Sequence, residues 1–311
     1  MGFTIASHAP TMYATCALAS TARPPAVPSH PPPCHQPNQH QRSHPKKGLR
    51  RSLWVSTTQA RTSAQLRGCV NDVRTMLRIL EHLKINIRES RIYVDDPAWK
   101  NSNGFPTKAN IEAGMRWLTE GAMPGDSFIF HYSGHGTQVA GSTTEADGKD
   151  EALVPSDYES AGLIMDDVIK STIVDPLPMG ARLTALMDCC HSGSMFDLPY
   201  VFTSSKDNIT QARQGNRLTT HNPGSSPIKA EIFQISGCKD DQTSADVQSG
   251  SSAGGACTNA LAEVITENAN VNITDLLAGM LKSLKSSKFT QIPQLSSSQP
   301  VSADTSFKFG N

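Results

Sequence analysis

Between residues 66 and 84 apolar side chains recur at helical spacing: Leu66, Val70, Val73, Leu77 and Leu80, flanked by Met76 and Leu83. That spacing predicts an amphipathic helix. A short strand follows at 91–94, where Ile92, Tyr93 and Val94 are consecutive. Thr107 is placed to cap a second helix carrying Ile111, Met115 and Leu118 on one face. Pro124, Gly125 and Asp126 turn the chain into an apolar strand over 127–132, and 137–150 reads as a polar loop. A short strand at 153–154, a short helix over 165–175, a core strand over 182–188 and a strand over 232–235 come next. Helices over 254–266 and 273–284 close the pattern. Strand and helix signals alternate, which predicts an α/β fold with a mostly parallel central sheet and helices on both faces. In such sheets the site lies beyond the carboxyl ends of the strands.

Composition divides the chain. Residues 1–50 form an arm rich in Pro, Ser and His, including Pro31, Pro32 and Pro33, with too little apolar surface to offset its ordering entropy. The globular domain is expected over 51–311, with a mobile loop over 203–228, where periodicity vanishes. The chain has 28 basic and 28 acidic side chains, so net charge gives no case for binding nucleic acid. No apolar run is long enough to span a membrane, and no basic stretch precedes the mildly apolar first residues. Seven cysteines at scattered spacing argue against a disulfide framework and for a reducing, cytoplasmic setting.

Two segments at strand ends carry the candidate chemistry. One runs His131-Tyr132-Ser133-Gly134-His135-Gly136; the other runs Asp188-Cys189-Cys190-His191-Ser192-Gly193-Ser194. A thiolate nucleophile needs a base and donors for an oxyanion. His135 offers an imidazole suited to proton transfer near neutrality. The amides of Gly136 and Cys190 are candidate oxyanion donors. Strand alternation puts Asp188 and Cys190 on one face and Cys189 on the other, in the core. The histidine segment precedes the cysteine segment by 55 residues, the order expected of caspase-like enzymes.

The stretches HYSGHGTQ and DCCHSGS resemble the two active-site motifs of type I metacaspases, caspase-like cysteine peptidases of family C14, and LRGCVNDV at 66–73 resembles a third motif of that family. The resemblance covers the chain from about Leu66 onward. It implies a caspase-like fold, with His135 as base and Cys190 as nucleophile. Cys69, Asp72, Ser133 and Asp188 would line a pocket that takes Arg or Lys of a protein substrate, as carboxylates attract cations. Asp150, Asp166, Asp167 and Asp197 would bind Ca2+. It further implies a monomer. Autoprocessing at exposed basic residues such as Lys46, Lys47, Arg50, Arg51, Lys206, Arg213 and Arg217 fits an enzyme preferring basic side chains.

One stretch departs from the family. Where a Gly-Ile-Asn-Tyr run is expected, the chain has Ser56-Thr57-Thr58-Gln59. Burying Thr57, Thr58 and Gln59 in a central sheet costs free energy unless each finds a partner. The expectation is therefore a short, distorted or unpaired first strand over 52–59, and with it a second hypothesis, a catalytically weak homologue acting as a regulator.

Overall fold

The computed structural model describes residues 49–57, 66, 68–140, 149–205, 207–209, 220–221, 227–237, 246–247 and 254–310. The arm read over 1–50 falls outside the described residues except for its last two, which already belong to the first strand. The chain runs β1 (Leu49–Ser56), α1 (Cys69–His82), β2 (Ile87–Val94), α2 (Lys108–Thr119), β3 (Ser127–Ser133), β4 (Gly136–Ala140) and β5 (Lys149–Leu153). It continues through α3 (Tyr158–Ala161), β6 (Ile164–Met165), α4 (Asp166–Ile169), a π-helical turn (Lys170–Val174), β7 (Arg182–Asp188), β8 (Tyr200–Thr203) and β9 (Thr220–His221). Last come β10 (Glu231–Ser236), β11 (Asp246–Val247), β12 (Gly254–Gly255), α5 (Ala256–Glu267), α6 (Ile273–Ser286) and β13 (Gln294–Ser297).

The main sheet has the order β2-β1-β3-β7-β10-β13-β8-β9. Its first five strands are parallel, and β13, β8 and β9 join antiparallel. Side-chain alternation divides the core in two. On one face Trp54, Ile129, Leu186, Ile235 and Leu295 pack with Val73 and Met76 of α1, Leu261 of α5 and Leu277 of α6. On the other face Leu53, Val55, Phe128, Phe130 and Tyr132 pack with Ile111, Met115 and Leu118 of α2 and with Ile173. This is the expected α/β fold with helices on both faces. Thr107 caps α2 as expected, its hydroxyl accepting from the Asn110 amide at 3.3 Å. No helix among the described residues is long and apolar enough to cross a membrane.

The first strand corrects the expectation of damage. β1 is eight residues long and lies between β2 and β3, paired in register with both. Several of its polar groups find partners, although Ser56 Oγ has none among the described residues. Trp54 Nε1 donates to Ser52 Oγ at 2.9 Å and Ser90 Oγ at 3.0 Å. The Thr57 amide donates to the Ser133 carbonyl at 3.0 Å, and the Thr57 hydroxyl pairs with that of Tyr132 at 3.0 Å. Thr58 and Gln59 lie outside the described residues. The expected polar loop over 137–150 is also different. Residues 136–140 and 149–153 are antiparallel partners in a small three-stranded sheet with β6, and 141–148 lie outside the described residues. Within 203–228, the described residues include β9, which pairs with β8.

Candidate active site

The parallel register of β3 and β7 builds the site. Ser133 stands opposite Asp188, so His135 and Cys190 each follow a paired strand end by two residues. The Gly134 amide extends the ladder, donating to the Asp188 carbonyl at 3.2 Å. Gly136 then lies against the loop after β7: a Cβ there would collide with the Cys190 carbonyl and meet Cys189 Sγ at 3.3 Å. Only glycine permits that approach. Cys189 is fully buried among the residues that pack around Met187, whereas Cys190 is half-buried. His135 is half-buried too. The two expected catalytic side chains are thus brought to neighbouring, partly accessible loops. His191 adopts a left-handed backbone at φ 52° directly after Cys190, where the chain leaves β7.

His131 has a different environment. It is 0% exposed, and its ring centroid lies 5.8 Å from that of Trp54. Neither ring nitrogen has a hydrogen-bond partner among the described residues. Burial pushes its pKa down to about 3, so it is neutral. This is the structural histidine that its position inside the strand predicts.

The four expected pocket residues gather at the same end of the sheet. Asp72 is fully buried on α1 and accepts from Ser133 Oγ at 2.5 Å and from the Gly255 amide at 2.7 Å. Asp188 accepts from the Thr258 amide at 2.8 Å, and a Cβ on Gly255 would collide with its carboxyl group. Cys69 opens α1 and is 4% exposed. The N-terminus of α5 therefore supplies amides to both acids, as helix N-termini do for anions. Gly255 and Thr258 were missed in the sequence. The signal for them was Gly254-Gly255 directly before a helix.

The four acids read as calcium ligands come from three segments. Asp150 sits on β5 opposite Val139, Asp166 and Asp167 begin α4, and Asp197 follows the Cys190 loop with a left-handed backbone at φ 46°. Asp166 accepts from the amides of Asp167 at 2.8 Å and Glu151 at 3.1 Å. Burial raises its pKa to about 6, with Asp197 and Asp150 adding repulsion. Burial also raises Asp197, with Asp167 and Asp150 adding to it and Lys170, at 3.5 Å, opposing it. The four carboxyl groups therefore sense one another. As they stand, no three His, Cys, Asp or Glu among the described residues are placed to hold a metal ion. The donor set nonetheless fits a hard cation: carboxylate oxygens, mutually repelling, with Lys170 paired to Asp197.

The family described as "Metacaspase, peptidase C14 domain" matches residues 50–199. Among curated proteins, Metacaspase-3 of Trypanosoma cruzi is 38% identical, covering 84% of this chain and 74% of its own length. Metacaspase-5 of Trypanosoma brucei brucei is 37% identical over 82% of this chain, which spans 52% of that longer protein. Inactive metacaspase-4 of the same organism is also 37% identical, covering 82% of this chain and 73% of its own length. Among solved structures, protein GSU0716 from Geobacter sulfurreducens matches with a TM-score of 0.56 at 19% identity, covering 85% of this chain and 99% of that one. That likeness speaks for the fold.

Proposed function

Because the chain belongs to the metacaspase family and is a cysteine-type peptidase, we propose that it is a calcium-dependent endopeptidase that cleaves after Arg or Lys through Cys190 and His135. One observation carries the dyad: the in-register pairing of β3 and β7, with Gly136 seated on the Cys190 carbonyl. In this reading His135 takes the Cys190 thiol proton, and the thiolate attacks the scissile carbonyl. The amides of Gly136 and Cys190 hold the resulting oxyanion. His135 then returns the proton to the leaving amine, and water releases the acyl group.

Basic specificity rests on Asp72 and Asp188, two buried carboxylates beside the dyad. Each already accepts from an α5 amide, which holds its oxygens in place for a guanidinium or ammonium. Calcium binding rests on Asp150, Asp166, Asp167 and Asp197. A bound cation would supply the positive charge that these repelling carboxylates lack. Asp197 is seven residues beyond Cys190, so these acids tie the nucleophile loop to β5 and α4. The enzyme would act as a monomer in a reducing compartment, where the Cys190 thiol persists. A catalytically silent homologue is the second reading, favoured by the relative whose name marks it inactive; the intact first strand removes its other motive.

The test is hydrolysis of fluorogenic peptides ending in Arg, Lys or Asp, with calcium or a chelator, by the full chain and by Cys190→Ala. Turnover of the Arg and Lys peptides alone, requiring calcium and Cys190, is expected. Absence of turnover by a folded wild-type chain would support the silent homologue. Equal rates in calcium and chelator would remove the metal. Calcium binding has its own readout in calorimetric titration of Cys190→Ala, which Asp197→Ala should abolish.

A further inference from the structure

We propose that Gln234 and Ser192 are positioning residues that fix the direction of the Cys190 backbone amide, through a relay of hydrogen bonds rising from the sheet. The inference rests on the peptidase reading above. Gln234 lies on β10 and is 1% exposed. Its Nε2 donates to the Ser192 carbonyl in a short bond and to the Gly193 carbonyl at 3.4 Å. Ser296, its register partner on β13, donates its hydroxyl to the same Gly193 carbonyl at 2.9 Å. Ser192 is fully buried, and its own hydroxyl donates to the Cys189 carbonyl at 2.9 Å.

The last bond matters for chemistry. The peptide between Cys189 and Cys190 is planar and trans, as no peptide among the described residues is cis. Its C=O and N–H therefore point in opposite directions. Holding the Cys189 carbonyl on the Ser192 hydroxyl turns the Cys190 amide to the other side of the loop. That amide is the one assigned to the oxyanion. Gln234 acts one step further back, holding the Ser192 backbone so that its hydroxyl stays under the Cys189 carbonyl.

The residue types suit the task. Two carbonyls need a neutral group with two N–H donors, which a primary amide supplies. A carboxylate would repel both, and an ammonium would bring an unpaired charge into the core. Gln234 Oε1 has no partner among the described residues. The buried amide is thus retained at a desolvation cost, for its donors alone. Oxyanion donors act only if aimed before the reaction, so their orientation is worth stabilising in this way.

The experiment compares the full wild-type chain with Gln234→Met, Ser192→Ala and the double variant. It measures kcat and KM on a fluorogenic peptide, the rate of Cys190 alkylation by iodoacetamide followed by mass spectrometry, and the melting temperature. Alkylation attacks a saturated carbon and forms no oxyanion, so it reports thiolate chemistry alone. Each single variant should lose about 10-fold or more in kcat, with KM and alkylation rate within about twofold of wild type. The double variant should lose no more than the worse single one, because the two residues act in series. A kcat within twofold of wild type overturns the proposal. So does a parallel fall of kcat and alkylation, which marks collapse of the loop, and so does multiplication of the two losses in the double variant. If Gln234→Met fails to fold, Ser192→Ala, a smaller change, carries the same test. A folded wild-type chain that is alkylated but turns over no peptide removes the peptidase reading, and this proposal with it; an active wild type with unaffected variants removes the proposal alone.

Discussion

His131 makes the protein sensitive to acid in a way that can be calculated. Its folded pKa is about 3, lowered by burial, against an ordinary value of 6.5. Both states are neutral at pH 7.5, so His131 contributes no pH dependence there. Below 6.5 the unfolded chain takes a proton that the folded chain refuses. Stability associated with this group is therefore complete above pH 6.5 and is lost as pH falls toward 3. At pH 5 the unfolded state is favoured by about 1.5 pH units, or about 2 kcal/mol. That is a large share of the roughly 5–15 kcal/mol that holds a domain folded. The perturbation is His131→Phe, which keeps a ring beside Trp54 and removes the titrating group. The assay is urea unfolding of the variant and its parent at pH 7.5, 6.5, 5.5 and 5.0, both carrying Cys190→Ala to prevent self-cleavage. Carboxylates titrate equally in the two proteins and cancel in the difference. At pH 7.5 the variant should be equal or somewhat more stable, because two unpartnered nitrogens have gone. The gap should widen by about 2 kcal/mol between pH 7.5 and pH 5.0. A gap that stays constant across that range would refute the claim that His131 is held neutral.

Other expectations follow from contacts already described. Cys190→Ala should abolish turnover with little change in unfolding free energy, whereas Cys189→Ala should retain the nucleophile and cost stability through a small core cavity; peptide hydrolysis and urea unfolding read the two apart. Gly136→Ala should lower kcat by about 10-fold or more, because the new methyl group drives against the Cys190 carbonyl, and steady-state kinetics checks it. Trp54→Ala should cost about 3–5 kcal/mol in the same unfolding assay, since the ring is fully buried on β1 and its indole N–H is bonded to two serines. Asp72→Ala should destabilise by about 1–3 kcal/mol, as Ser133 and the Gly255 amide lose their shared acceptor.

Elements with a dense apolar signal were legible in the sequence. β7 was read at its observed bounds, and the helices at α1, α2, α5 and α6 were placed to within a few residues. The exceptions are informative. β13 was missed because Gln294, Leu295, Ser296 and Ser297 contain one apolar side chain, yet all four are buried. The Ser296 hydroxyl bonds to the Gly193 carbonyl, which only the folded chain brings near. The arms of the β4–β5 hairpin were hidden for the same reason: Lys149, Asp150 and Glu151 read as loop, although Glu151 is buried and accepts from Gln138 Nε2 at 2.8 Å. The doubt over Thr57 errs in the opposite direction, because β3 supplies partners for both its amide and its hydroxyl. Residues of the site were legible where a local pattern carried them, as in the two strand-end segments. Gly255, Thr258 and Gln234 were not, because what they do depends on segments between 42 and 183 residues away.

The parallel strands themselves say where chemistry belongs in this fold. β1 ends on Ser56, β3 on Ser133, β7 on Asp188 and β10 on Ser236, and each of these polar residues is at least 96% buried. Along the same strands the preceding positions are mostly apolar: Leu53, Trp54 and Val55 in β1, Phe128, Ile129 and Phe130 in β3, Leu183, Ala185 and Leu186 in β7. An apolar residue at each of the four ends would avoid the desolvation cost of burying a hydroxyl or carboxyl group. Two of those groups, Ser56 Oγ and Ser236 Oγ, lack any partner among the described residues. These four buried polar ends lie at one end of the sheet, which is also where Asp72, Gly255 and the Cys190 loop converge. Rules of core composition are broken locally where a site requires polar atoms. Thus the carboxyl ends of these strands trade stability for a polar floor, and the loops carrying His135 and Cys190 follow directly from it.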